Sequence, residues 1–190
     1  MKITTRDMIL VSFFTALTAV GAFLKIPISP APITMQFLFT AFAGILLGSK
    51  LGALSQIIYV VLGLLGLPVF TKPSGLSYVF EPSFGYLIGF IFGAYVIGKI
   101  SETNSKTSFI RLFLASVVGI SVIYLIGVPY LYIILKYAMG TSITFGGALK
   151  SGLLIFLSGD ITKCIVTAII GVKVVPRVKH LVSGRNLVER

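Results

Sequence analysis

The chain has 190 residues, of which 56% are hydrophobic and only 11% charged, with a mean hydropathy of +1.05; an ordinary soluble domain, at about 45–50% apolar and about 25% charged residues, is excluded. Sixteen Lys and Arg stand against five Asp and Glu, a net charge of +11, which in so apolar a chain marks loops facing an anionic membrane leaflet rather than a nucleic-acid surface. One cysteine, Cys164, and one histidine, His180, exclude an internal disulfide, a cysteine-based metal cluster and a His-rich catalytic site, so neither metal nor cofactor is expected.

A membrane helix needs about 20 mostly apolar residues, and the charges here fall between such runs rather than inside them. The first expected span, residues 8–24, follows Lys2 and Arg6 and stops at Lys25 and the breakers Pro27, Pro30 and Pro32. Its uncharged run exceeds the roughly 7–15 residues of a signal-peptide core and the chain starts at Met1, so it is expected to be a retained span. Ser12, Thr15, Ala16, Ala19 and Ala22 give it a face of small residues, which permits close helix contact either within the bundle or with another protein. Spans two and three, 33–47 and 51–66, are separated by a tight Gly48-Ser49-Lys50 turn. Residues 67–83, with Pro68, Pro73, Pro82, Lys72 and Glu81, read as a long connection carrying one short helix at most. Span four, 84–98, leads into a polar linker at 99–107, and span five, 109–137, contains Pro129, expected to kink it. After a loop at 139–147, span six covers 148–174, and Pro176 and a basic tail follow.

The expected fold is therefore an all-α integral membrane protein, one six-helix domain over residues 1–190 with both termini on the same side. Lys2, Arg6, Lys50, Lys99, Lys106, Arg111, Lys173, Arg177, Lys179, Arg185 and Arg190 lie on that side, eleven in all, against four (Lys25, Lys72, Lys136 and Lys150) on the other. The positive-inside rule then puts the termini in the cytoplasm of a multi-pass cell-membrane protein embedded in the lipid bilayer. No nucleic-acid partner is expected.

The nearest approach to a phosphate-binding loop, Gly44 to Lys50, has the wrong spacing and reads as a glycine-permitted turn. Energy for any transport must come from elsewhere. Paired carboxylates and a nucleophile with its base are both missing from the spans, so an enzyme is not expected. The most specific feature is Gly159-Asp160-Ile161-Thr162-Lys163, which lies about 15 Å along the last span from Lys150. Each intramembrane charge costs about 2.5–3.5 kcal/mol on insertion scales, and a spacing of three puts both on one helix face with Phe156 and Thr167. The bland reading is mutual neutralisation inside the bundle; the sharper one is a pocket for a polar or anionic small molecule. A second feature is Glu81-Pro82-Ser83-Phe84-Gly85-Tyr86 at the entry to span four, where Gly85, Gly89 and Gly93 form a packing ridge. Tyr86 reads as an interfacial anchor or a pocket wall, and Glu81 as a solvated loop charge or a pocket rim.

Taken in order, Ala31-Pro32-Ile33-Thr34-Met35-Gln36, Gly63 to Phe70 reading GLLGLPVF, the 82–90 segment and Gly159-Asp160 with Lys163 resemble the BioY family, the biotin-binding S components of energy-coupling factor transporters. The resemblance covers nearly the whole chain. It implies a six-helix protein that binds biotin from outside and works with a transmembrane coupling protein and two cytoplasmic ATPase subunits. By resemblance, Asp160, Lys163 and Tyr86 contact biotin, and Glu81 stands where the family commonly has a polar residue. Phe156 and Phe84 are candidate walls for the apolar parts of the ligand, as is Phe70. The small-residue docking motif of helix one falls on Ser12, Thr15, Ala16 and Ala19, with its first alanine replaced. Two other readings stay open: an S component for another vitamin, and a proton-coupled secondary transporter in which Asp160 titrates.

Overall fold

The computed structural model describes residues 3–103 and 107–183, with side chains through residue 177. Of the charges counted above, Lys2, Lys106, Arg185, Arg190 and the side chain of Lys179 lie outside the described residues. Helix α1, Thr5–Phe23, starts ahead of the expected residue 8 because Thr4 and Asp7 form a capping box: the Thr4 hydroxyl accepts the Asp7 backbone N–H at 3.3 Å while the Asp7 carboxylate accepts the Thr4 N–H at 3.0 Å. Such a cap contributes about 1 kcal/mol. Two short strands, β1 (Lys25–Ile26) and β2 (Ile33–Thr34), pair antiparallel across the proline-rich segment between them, with Lys25 opposite Thr34.

Helix α2, Gln36–Leu64, is one run interrupted at Gly48, whose φ of 82° and ψ of −177° are not helical. Thr40 donates to the Gln56 side chain at 3.1 Å, whereas sixteen residues of straight helix would separate them by about 24 Å. The two arms of α2 therefore fold back on each other. The φ of Gly48 is open to glycine and strained for other residues, and a Cβ there would lie 2.1 Å from a Glu102 oxygen. Glu102, at the end of α3 (Phe84–Glu102), accepts the Ser49 N–H at 2.9 Å and the Ser49 hydroxyl at 3.0 Å, which satisfies donors that start the second arm.

Helix α4, Phe109–Ile133, keeps Pro129 inside it and continues through a wider π turn, Ile134–Ala138; α5, Phe145–Leu149, continues through a second π turn, Lys150–Leu154, into α6, Ile155–Ser183. Thr144 caps α5 by accepting the Gly147 N–H at 3.1 Å, so the helix begins inside what the sequence assigns to a loop. Helix α6 also runs past residue 174 and through Pro176, since proline removes one N–H yet holds a helical φ. In the bundle α2 packs on α1 and α3, α3 on α4, and α6 on both α4 and α2. The predicted glycine ridge faces α4: a Cβ on Gly89 would stand 3.0 Å from the Ile123 backbone.

Among the described residues five helices are long and apolar enough to cross a membrane: Thr5–Phe23, Gln36–Leu64, Phe84–Glu102, Phe109–Ala138 and Phe145–Arg177. Their outward side chains are apolar, with Ile110 at 67% and Leu125 at 75% exposure, the pattern of a surface solvated by lipid. The loops at one end, 24–35 and 65–83, meet one another. Lys25 donates to the Thr71 carbonyl and Tyr130 of α4 to the Val79 carbonyl. A 3-10 turn, Leu76–Phe80, sets Tyr78 at 1% exposure beneath that roof.

Candidate binding site

The two charges of α6 are both buried, Asp160 at 6% and Lys163 at 8% exposure, and form an ion pair with Nζ 2.7 Å from Asp160 Oδ1. Tyr124 of α4 donates its hydroxyl to Asp160 Oδ2 at 2.5 Å, and Lys163 also donates to the Thr34 carbonyl of β2 at 2.7 Å. Three elements distant in sequence thus converge on one pair of charges. The arrangement leaves unused capacity: an ionised carboxylate has about four acceptor positions and an ammonium three donors, of which two on each side are taken. A ligand that both donates and accepts can join this pair without breaking it.

Above the pair a cavity is bounded by Pro32, Thr34 and Gln36 on one side and by Tyr86, Phe90 and Phe156 on another. Gln36 donates to the Tyr59 hydroxyl at 2.8 Å, which in turn donates to the Val69 carbonyl at 2.9 Å. Tyr78 shares hydrogen bonds with Thr71 at 2.8 Å and Ser83 at 3.1 Å. The polar side chains of this wall are therefore tied to one another and to the loop backbone by hydrogen bonds. Tyr86 donates to the Gly152 carbonyl at 2.7 Å, and its ring lies 6.4 Å from those of Tyr124 and Phe156. The absence of a side chain at Gly127, where a Cβ would come within 2.5 Å of the Tyr86 ring, lets that ring lie against α4.

Of the residues singled out from the sequence, Asp160, Lys163, Tyr86 and Phe156 line this one cavity. Glu81 does not: it sits in the roof, paired with Lys72 at 2.6 Å. Phe84 also lies elsewhere, packed between the rings of Tyr78 and Tyr130, and Phe70 packs on Tyr59 and Tyr78. Tyr124, Gln36 and Tyr78 line the cavity without having been singled out from the sequence as lining residues. The signal for Tyr124 was available, since a tyrosine hydroxyl in the middle of a span needs a partner. On α1, Thr15 is buried at 5% and donates to the Val11 and Ser55 carbonyls, whereas Ser12 and Ala16 are exposed and Ala19 is half-buried. The small-residue face is thereby divided between the bundle and the exterior.

A model of the BioY family matches residues 1–180 of the chain. A probable biotin transporter BioY of Lysinibacillus sphaericus is 38% identical over 167 residues, covering 88% of this chain and 85% of the relative. The biotin transporter BioY of Thermotoga maritima is 37% identical over 173 residues, covering 88% and 95%. Among solved structures the chain is similar to the S-component for biotin from an ECF-type ABC transporter, with a TM-score of 0.78, 29% identity, and coverage of 91% of this chain and 94% of that one.

Proposed function

The chain belongs to the BioY family, and from that premise we propose that it is the biotin-binding substrate-capture subunit of an energy-coupling-factor uptake transporter of the cell membrane, working with a transmembrane coupling protein and two ATPase subunits. Its task is capture rather than chemistry. The whole chain acts as one membrane domain with six crossings, each arm of α2 counting as one, and with cytoplasmic termini. The reversal at Gly48 and the eleven-to-four distribution of Lys and Arg support this topology. The pocket then opens outward beneath the loops 24–35 and 65–83.

The observation that carries the reading is the buried Asp160–Lys163 pair with spare hydrogen-bonding capacity at the cavity floor. Biotin's ureido ring is neutral and offers two N–H donors and one carbonyl. Asp160 accepts one N–H and Lys163 donates its remaining hydrogen to the carbonyl, so a neutral group rests on a neutralised pair. Tyr86, Phe90 and Phe156 supply apolar and aromatic contact for the thioether ring and the aliphatic tail. Ser12 and Ala16, on the exposed side of α1, permit the close backbone approach that a coupling protein requires in lipid. The test is calorimetric titration of the purified protein with a panel of vitamins. Saturable binding of biotin and of no other member is the expected result; absence of biotin binding, or equal binding of a second vitamin, overturns the reading.

A further inference from the structure

A second cavity lies in the roof, lined by Lys25 and Lys72 together with residues 27–30, Pro32 and Thr71. Pro32 and Thr71 also line the main cavity, so the two spaces share a wall. Lys25 is placed over the site by the strand pairing: it lies opposite Thr34, whose carbonyl accepts Lys163. Its ammonium donates to the Thr71 carbonyl, and among the described residues it has no carboxylate partner. Lys72 differs, because Glu81 takes up its charge at 2.6 Å.

The charges of the two cavities lead to different tasks. At the floor, Lys163 is balanced by Asp160 and already bonded to Thr34. An anion brought there would meet the Asp160 carboxylate in a low-dielectric site, which costs more than the paired lysine returns. In the roof, Lys25, Lys72 and Glu81 leave one uncancelled positive charge next to the shared wall. We propose that the roof cavity is an anion vestibule in which Lys25 attracts and receives the carboxylate of an incoming ligand, so that the ligand enters with its neutral hydrogen-bonding end leading toward Asp160. The proposal rests on the biotin reading and assigns a task to Lys25 that the floor residues do not perform. Glu81 is the moderator of this vestibule: by holding Lys72 it halves the charge presented to the ligand.

The experiment compares association rates of biotin and of its uncharged carboxamide with the purified full chain, at low and high salt. Charge-driven capture makes the acid faster than the amide at low salt, with the gap closing as salt screens the vestibule. Lys25→Gln lowers the acid-to-amide rate ratio about threefold, Lys25→Arg restores it, and Glu81→Gln raises it by about the same factor. Equal slowing of both ligands by Lys25→Gln would mean that Lys25 is only a tie between the two loops, and would overturn the proposal. So would a wild-type ratio that does not change with salt, a reading that needs no variant to fold. A wild type that binds neither ligand sinks the biotin reading itself and the vestibule with it, whereas normal affinity with a salt-independent ratio removes the vestibule alone.

Discussion

Asp160 carries one donor on each oxygen, Lys163 on Oδ1 and Tyr124 on Oδ2, which is what allows a carboxylate to sit in the middle of a span. Each partner has a separable effect. Asp160→Asn removes the anion proposed to accept the ligand N–H, and biotin affinity is expected to fall by more than about 1.5 kcal/mol, roughly tenfold. Tyr124→Phe leaves the ion pair intact but frees one oxygen, so affinity falls less. Calorimetry on both variants checks the order, and an Asp160→Asn protein that binds as tightly as wild type would exclude Asp160 from the site. At this scale the buried pair Asp160 and Lys163 was legible in the sequence as two charges on one helix face, because an ionisable group in a span is costly enough to stand out. The neutral residues were less legible: a tyrosine in a span signals that a partner is needed, but which partner, Asp160 of α6 for Tyr124 and Tyr59 in the other arm of α2 for Gln36, emerges only from the folded chain. Glu81 and Phe84 were misdirected by proximity in sequence to Tyr86. The turn at Pro82 sends Glu81 toward Lys72, and the helix phase sends Phe84 toward Tyr78 and Tyr130.

Elements were legible where charges and breakers bound them and less so where side chains decide their ends. The Gly48 turn was visible as Gly-Ser-Lys, but its clamp, the carboxylate of Glu102, comes from fifty-three residues away in sequence from Ser49. Gly48→Ala would strain a φ of 82° and push the Glu102 oxygen from its place, costing about 1–3 kcal/mol for the backbone alone. Thermal unfolding in detergent should show a clear drop for Gly48→Ala and a smaller one for Glu102→Gln, which keeps an acceptor; an unchanged Gly48→Ala melt would refute the clamp. The strands at 25–26 and 33–34 escaped notice because two-residue strands carry no alternation to read. On α1 the spacing of small residues was visible and its direction was not. Thr15 bonds to the Ser55 carbonyl and so faces inward, which leaves Ser12 and Ala16 as the docking candidates. Ala16→Trp is expected to abolish uptake and co-purification with the coupling module while purified protein still binds biotin. Loss of biotin binding in that variant would place Ala16 inside the bundle instead.

For the whole molecule, the contact that matters most joins Thr34 to Lys163 across 129 residues. Charge counting and hydropathy hold no information about such a pairing, so the roofing of the last helix by the first loop emerges only from the folded chain. Orientation in the bilayer follows different physics. Moving basic residues across the membrane is disfavoured, and the side with more Lys and Arg stays in the cytoplasm. The loop containing Thr103 follows Lys99 and precedes Arg111, whereas the loop containing Ser142 has Lys136 before it and Lys150 after it. Both positions are exposed, and the native Cys164 is buried at 0% exposure. In a Cys164→Ser background, a cysteine at Ser142 is therefore expected to react with a membrane-impermeant thiol reagent added to intact cells, and one at Thr103 to react only after the cells are opened. The same result puts Lys25 and its vestibule on the outside, since the loops of 24–35 and 65–83 share the Ser142 end of the bundle by helix alternation. Labelling of Thr103 and protection of Ser142 in intact cells would invert the protein, turn the pocket toward the cytoplasm and remove the basis for capture from outside.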